Sequence, residues 1–459
     1  MNQDTIWKDD KLGRQSLAKS FTKIIQSSAD MSDDALVIGL HAAYGMGKSF
    51  FLDKWRQQLA DEGNITVAFD AWENDYCGDP MVSFAAEIRG QLAQFIKGEK
   101  FNQTLGRIAI SAIDQFPILQ NMIASENALQ DRTQIGEFGN TLVDSYKNAK
   151  QGVLDFKKEL SNIYVNSNKK NKKTKPIVIF IDELDRCRPT YAIELLEKIK
   201  HVFNVKGYVF VLGFDKIQLS KSVETIYGKD MDTAGYLKRF FNIELTLVEP
   251  PLDKFISYIV TERYKFPQHM QVAAQSMELS GNAVTESISV MSRWFDLKLR
   301  DIDRLAHQCR VLLGAVTTDN TISKPILPSV FVLLVTLKLK HPEVYEKIGS
   351  NLETGQSVLT EIKAVSRIPV QPKADDHNDW ISMLKDGLSA LIMSEETVRK
   401  KRADMRGYSN TEVDHLWRVS HLQGMLKQNG FRFDTSNQGI SLIKSLVDAT
   451  YYAEEPTEL

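Results

Sequence analysis

Short apolar runs separated by helical spacing fill the first half of the chain, and longer helical stripes take over after Pro251. Leu36–Leu40, Ile65–Phe69, Ile177–Ile181 and Tyr208–Leu212 are apolar almost without interruption, the pattern of strands buried on both faces. Phe241–Val248 alternates instead and reads as a final strand, punctuated by Pro250 and Pro251. Leu17, Phe21, Ile24 and Ile25 share one helical face within residues 12–27. Phe51, Leu52 and Trp55 repeat that spacing after the first strand, and Ile193, Leu196 and Ile199 do so between the third and fourth. Strands alternating with helices predict an α/β fold, a parallel sheet flanked by helices.

Between the second and third strands, from about 80 to 170, the pattern predicts a helical insertion carrying Phe84, Ile88, Leu92 and Ile96, then Leu142, Tyr146, Val153, Phe156 and Leu160. The lysine-rich stretch Asn166–Lys175 that closes it lacks interleaved aromatic residues. It reads as a solvated linker rather than a phosphate-contacting patch. Past Pro251, Phe255, Ile259 and Tyr264, then Ile302, Leu305, Cys309 and Leu312, predict a helical lid over 251–345. A helical C-terminal domain over 346–459 follows, with a break at Gly349 and a linker at Pro369–Pro372. Its clearest helix carries Leu416, Val419, Leu422 and Leu426 and stops at Asn429-Gly430. The expected division is therefore a core of 1–250, the lid, and a C-terminal domain of unassigned role.

Composition narrows the class of protein. A length of 459 residues suits two or three domains, and a net charge of −2 exerts no general pull toward nucleic acid or anionic lipid. Cys77, Cys187 and Cys309 are scattered, indicating neither a disulfide framework nor a zinc site, and favour a reducing compartment. The polar N-terminus does not read as a signal peptide. The apolar run Ile326–Leu337, broken by Pro328, Ser329 and Thr336, is shorter than the ~20 residues of a spanning helix and reads as a buried one. A cytoplasmic protein with no integral membrane segment is expected.

The chemistry concentrates in two places. Leu36–Ser49, LVIGLHAAYGMGKS, is a strand feeding a small-residue turn that opens a helix, the context of a phosphate-binding P-loop. Backbone N–H groups of Gly45–Ser49 would cradle phosphates at a helix N-terminus, which makes Tyr44, Gly45, Met46, Gly47, Lys48, Ser49 and Phe50 candidate nucleotide-binding residues. Lys48 would reach the β/γ-phosphates and the Ser49 hydroxyl would hold Mg²⁺. One departure is that Ala42 stands where the pattern has its first glycine. The second place is Ile177–Arg186, IVIFIDELDR, which sets Asp182 at the C-terminal edge of a buried strand as a second Mg²⁺ ligand. Glu183 beside it is the candidate to polarise the attacking water. Asp215, at the end of the next strand, either orients water and senses nucleotide or caps the following helix.

These residues carry a resemblance to the KAP family of P-loop NTPases, part of the STAND group. It rests on Asp10-Lys-Leu-Gly-Arg14, Tyr44-Gly-Met-Gly-Lys-Ser49, Phe69-Asp-Ala-Trp72, Ile181–Cys187 and Tyr236-Leu-Lys-Arg239, and spans roughly Asp10 to Arg310. The resemblance implies ATP and Mg²⁺ as cofactors. It places Asp10–Arg14 beside the base, making Arg14 a nucleotide-binding candidate, although a simple helix N-terminus is the competing account. Arg186 would contact phosphate or pair with Asp185. Lys238 and Arg239 occupy the place of a basic finger across a subunit interface, which makes Arg239 a catalytic candidate alongside Glu183 and Lys48; the alternative is an ordinary surface position. Arg300, in LRDIDRL, resembles a lid sensor arginine, with helix capping or surface pairing as the alternative. Many members insert transmembrane helices where this chain has its charged segment at about 80–170.

The function this implies is an ATP-binding and ATP-hydrolysing switch that forms a homo-oligomer or gates an unidentified protein partner, in phage defence by analogy with bacterial members. The alternatives are a nucleotide-stabilised scaffold without turnover, a nucleic-acid-stimulated ATPase, disfavoured by the near-neutral charge, and a small-molecule kinase. No N-K-x-D base-reading motif stands in a suitable place, so ATP rather than GTP follows from the resemblance.

Overall fold

The computed structural model describes residues 3–29, 33–95, 132–169, 174–248, 251–266, 283–317, 326–351, 354–367, 377–404, 406, 408–428 and 438–451. The chain forms two compact units, Met1–Glu249 and Pro250–Leu459.

The first unit is built on five parallel strands: β1 Leu36–His41, β2 Ile65–Asp70, β3 Ile177–Asp182, β4 Tyr208–Phe214 and β5 Ile243–Thr246, in the order β2-β3-β4-β1-β5. All five expected strands form. Alternate residues of one strand enter different cores: Val37, Ile179, Ile181, Phe210 and Leu212 pack on one face, and Ile38, Leu40, Val178, Phe180, Val209 and Val211 on the other. Burial on both sides explains the unbroken apolar runs. β5 pairs only with β1 and has alternate residues exposed, so its sequence alternates.

Besides a single helical turn at Gln3–Ile6, the helices described in this unit are α1 Gln15–Ala29, α2 Lys48–Asp61, α3 Pro80–Leu92, α4 Arg132–Asn168, α5 Pro189–His201, α6 Lys216–Tyr227 and α7 Thr233–Lys238. Phe21 and Ile25 of α1 pack with Phe51, Leu52 and Trp55 of α2 on one face of the sheet. Phe84 and Ile88 of α3, Phe156 and Leu160 of α4, and Ile193, Leu196 and Ile199 of α5 pack on the other. α3 and the C-terminal part of α4 are thus bound into the core of the sheet. The linker ends are clasped: Asn168 Oδ1 accepts from Lys175 N at 2.8 Å and its Nδ2 donates to Lys175 O at 3.0 Å. Ile96 and residues 170–173 of the lysine run lie outside the described residues, as do the side chains of Leu142 and Tyr146.

The second unit is helical: α8 Leu252–Tyr258, running into a π-turn at Ile259–Arg263, then α9 Ala283–Trp294, α10 Leu299–Thr317, α11 Ile326–Lys340, α12 Pro342–Lys347, α13 Gly355–Val365, α14 His377–Ile392, α15 Glu395–Ala403, α16 Asn410–Gln428 and α17 Gln438–Tyr451. α11 is the apolar run singled out above. Val330 to Leu337 are buried without exception, so this helix forms the centre of its unit. Residues on both sides of position 345 share the unit, with Tyr345 Oη donating to Asp448 Oδ1 at 2.9 Å. Among the described residues no helix is long and apolar enough to cross a membrane. Pro369–Pro372, Asn429-Gly430 and the Leu426 side chain lie outside the described residues.

Candidate nucleotide site

The sheet order places β4 between β1 and β3, with Leu40 opposite Gly213 and Ile181 opposite Leu212. The C-terminal ends of three neighbouring strands therefore deliver the P-loop, Asp215 and the Asp182-Glu183 pair to one edge, where open α/β sheets take their ligands.

Between β1 and α2 the chain turns through Gly45 at φ 80° and Gly47 at φ 72°, left-handed conformations in which a Cβ is costly. Ala42 has no such requirement: it is not among the positive-φ residues and is buried. Its N–H donates to Phe214 O at 3.2 Å, and its carbonyl accepts from Lys48 Nζ at 3.2 Å. The loop needs glycine at 45 and 47, so alanine at 42 leaves its geometry intact. Tyr44 N donates to Asp215 Oδ2 at 2.9 Å, while Asp215 Oδ1 accepts from Ile217 N at 2.9 Å. Asp215 is therefore the N-cap of α6 and also ties the P-loop to β4. Met46 is buried beneath the loop, and Phe50 is half-buried with Lys54 Nζ 5.5 Å from its ring centre.

The segment preceding α1 is both a helix start and part of this site. Asp10 accepts from the backbone N–H groups of Leu12, Arg14 and Gln15. The Arg14 side chain, 3% exposed, donates from Nη1 to Gly47 O at 3.2 Å, bracing the second left-handed turn of the loop. Its Nε and Nη2 are buried with no hydrogen-bond partner. Burial pulls the guanidinium down to about 10 against the opposing charge of Asp10, which leaves it protonated at neutral pH.

Asp182 Oδ1 accepts from Glu183 N at 2.9 Å. Burial pushes its carboxyl above the usual range, with Asp70 adding to the push and Ser49, Glu183 N and Lys48 opposing it. Glu183 stands at φ 58°, a left-handed position that costs a non-glycine residue about 1–2 kcal/mol. There it begins the 3₁₀ turn Leu184–Arg186. Its Oε1 accepts from Ser49 Oγ at 3.2 Å, and its Oε2 lies 2.5 Å from Arg186 Nε. Burial and then Asp182 raise its pKa, while Arg186 opposes them.

The same turn touches the P-loop lysine. Lys48 Nζ is 3.7 Å from Asp185 Oδ2, and both side chains are nearly inaccessible. Asp185 Oδ1 has no hydrogen-bond partner. The expected alternative of an Arg186–Asp185 pair is corrected: Arg186 pairs with Glu183, and Asp185 faces Lys48. The reason is the geometry of the 3₁₀ turn, which sends successive side chains to different sides. Arg186 also lies over two exposed rings, 5.1 Å from the centre of Tyr44 and 5.5 Å from that of Trp72.

Lys238 and Arg239 are exposed at the C-terminus of α7, and Arg300 is exposed in the first turn of α10 in the second unit. Three site positions carried no assigned site role in the sequence reading. Asp185 is the partner of Lys48; Trp72 flanks Arg186; and at Gly213 a Cβ would lie 2.5 Å from Leu52 Cδ1 and 3.0 Å from Asp182 Oδ1. The Phe69–Trp72 and DELDR strings flagged the first two positions without their geometry. Gly213 carries no signal in the sequence, because its closeness to Asp182 arises from pairing between strands.

A parallel sheet with a glycine-hinged P-loop beside an acid pair defines a P-loop NTPase. The KAP family P-loop domain matches residues 14–314, and the chain belongs to that family. No curated protein matches the chain. Among solved structures, the ORC2 protein of Aeropyrum pernix in its ADP form is 12% identical, covering 95% of this chain and 93% of that one at a TM-score of 0.33. A RuvB variant from Thermotoga maritima is 12% identical over 84% and 91% of the two chains, at 0.31. Drosophila ORC bound to DNA is 12% identical over 99% and 81%, at 0.29. Scores of this size carry neither activity nor partner to the present chain.

Proposed function

We propose that the chain binds ATP with Mg²⁺ and hydrolyses it as a molecular switch. The observation that carries this reading is the Ser49 Oγ to Glu183 Oε1 bond of 3.2 Å, which brings the P-loop and the acid pair into one site across β4. The Ser49 hydroxyl and the Asp182 carboxylate are hard oxygen donors that suit Mg²⁺, which when bound offsets the charge of the phosphates. The backbone N–H groups of Gly45–Ser49 hold the phosphates. Lys48 exchanges Ala42 O and Asp185 for phosphate oxygens. Glu183 takes the proton of the water that attacks the γ-phosphorus, and ADP departs with the broken P–O bond. Arg14 braces the loop and lies near the nucleotide. Asp215 holds Tyr44 and transmits the state of the site to α6.

Beyond the chemistry, Lys238 and Arg239 are solvent-facing basic groups suited to a site on a second copy, and Arg300 to sensing nucleotide from the lid. Oligomerisation or the gating of a protein partner is the output this arrangement serves. A role in phage defence follows from the family resemblance and from no residue of this chain. The nucleotide-stabilised scaffold is favoured by one observation, the contact of Lys48 with Asp185, which occupies the ammonium that would meet the phosphates.

The test is phosphate release from ATP by the wild type, Lys48→Ala and Glu183→Gln, with mass in solution recorded with and without ATP. Turnover lost in both variants, with Glu183→Gln trapping an ATP-bound assembly, supports the switch. Tight binding with negligible wild-type turnover supports the scaffold. No nucleotide binding at all refutes the site.

A further inference from the structure

Glu183 is held at two points, and only one of them can persist when nucleotide enters. Its Oε1 contact is the Ser49 hydroxyl, which belongs to the P-loop and is committed elsewhere once the phosphates and their cation are bound. Its Oε2 contact is Arg186 Nε, at 2.5 Å, an ion pair in which Nε is not aligned as a hydrogen bond. Arg186 is fixed in turn by two rings from separate elements, Tyr44 of the P-loop and Trp72 of the turn after β2. Both rings are about half exposed, at 46% and 51%, a cost in apolar hydration that the guanidinium contact partly offsets. Unlike the ammonium of lysine, a planar guanidinium can stack on two rings and still direct its edge N–H groups at a carboxylate.

We propose that Arg186, held by Tyr44 and Trp72, is the positioning residue that keeps the Glu183 carboxylate aimed at the attacking water after Ser49 has turned away. This role rests on the hydrolytic reading above. It differs from the two roles the sequence suggested, since Arg186 pairs with Glu183 rather than Asp185 and acts through that carboxylate. Trp72 then acts one step further out, through Arg186. Tyr44 links the arrangement to the loop that senses phosphate.

The experiment measures ATP turnover and, separately, equilibrium ATP affinity for the wild type, Arg186→Ala, Arg186→Lys, Trp72→Ala and the Arg186→Ala/Trp72→Ala pair. Arg186→Ala is expected to lower kcat by about tenfold to a hundredfold, with ATP affinity within about threefold of wild type. Millimolar guanidinium ion should restore part of that kcat, an effect that loss of a structural contact would not show. Arg186→Lys should fall between, because it keeps the charge and loses the plane. Trp72→Ala should lower kcat by about fivefold on its own and by nothing further in the pair, since residues acting through one group are not additive. A large loss of ATP affinity in Arg186→Ala would make it a phosphate ligand and overturn the proposal. An unchanged or raised kcat would overturn it too, showing the ion pair to be a bystander or a brake. If the wild type binds ATP without turnover, the hydrolytic reading falls and this role falls with it; failure of the Arg186 series in an active wild type removes this role alone.

Discussion

Buried polar groups are handled differently in the two units. In the second, Trp294 Nε1, Ser366 Oγ and Arg402 Nε are buried without a hydrogen-bond partner at three separate places in the chain, while its buried carboxylates are closed off by protein partners. Asp386, 2% exposed, gives one carboxylate oxygen to His415 Nδ1 and the other to Arg418 Nε. Gln423 donates to Met393 O at 2.7 Å and Ala390 O at 3.2 Å, and Asp303 accepts from Tyr264 Oη at 3.1 Å beside Arg263. At the sheet edge of the first unit the accounting stays open. Asp185 keeps an oxygen without a hydrogen-bond partner, Arg14 keeps two nitrogens and Arg186 its Nε without one, and Glu183 is held in a left-handed conformation. Burying a polar group without a partner costs about 1–3 kcal/mol. The difference is one of clustering: most of the unpartnered groups of the first unit gather at Arg14, Asp185 and Arg186 around the P-loop, and those of the second are scattered along the chain.

Substitutions can break or sharpen this contrast. Lys48→Ala should have the largest effect, lowering ATP turnover by about a hundredfold to a thousandfold through loss of charge stabilisation at the phosphates, with the thermal midpoint nearly unchanged. Turnover at the wild-type level would place catalysis elsewhere. Asp386→Ala should do the reverse. It strands His415 and Arg418, and because Arg418 is 45% exposed and can reach water, the expected loss is about 2 kcal/mol by denaturant titration, below the range for fully buried pairs. ATP affinity of the folded protein should stay at the wild-type value; a drop would mean that the cluster is no mere brace.

Gly213→Ala tests the sheet edge of the first unit itself. Its Cβ would press on Leu52 and the Asp182 carboxylate, so a destabilisation of about 1–3 kcal/mol is expected, together with a higher Mg²⁺ requirement. A neutral result in both readouts would show that β4 yields readily. The smallest effect belongs to Asp185→Asn. Removing a negative charge 3.7 Å from Lys48 should tighten ATP binding by about fivefold, measured by equilibrium titration. Weaker binding would instead make Asp185 a group that orients Lys48.

Most of the first unit was readable because its signals are local. Each strand is a contiguous run, and the P-loop compresses a strand end, two left-handed turns and a helix start into Leu36–Ser49. Strand order was not local. Nothing in the run Tyr208–Leu212 says that it lies between β1 and β3, and that placement brings Gly213 against Asp182 and Asp215 against Tyr44. The DELDR string left the partners of its side chains open, because a 3₁₀ turn after a left-handed residue is a tertiary outcome. The second unit was legible as helices and little more, since an amphipathic stripe identifies a buried face without naming what covers it.

The sequence alone therefore determined the parallel α/β class, the turn between β1 and α2 with its glycines at 45 and 47, and the place of the carboxylates 182 and 183 at a strand end. Each of these depends on φ preference, period-two burial or residue chemistry within a few neighbours. Only the tertiary structure decided that Asp215 serves two backbone N–H groups at once, that Asp185 faces Lys48, and that Arg186 rests between Tyr44 and Trp72 against Glu183. The contacts of Asp215 with Tyr44, of Asp185 with Lys48 and of Arg186 with the two rings join segments far apart in the chain, and long-range pairing is set by the packing of the whole sheet rather than by any local pattern.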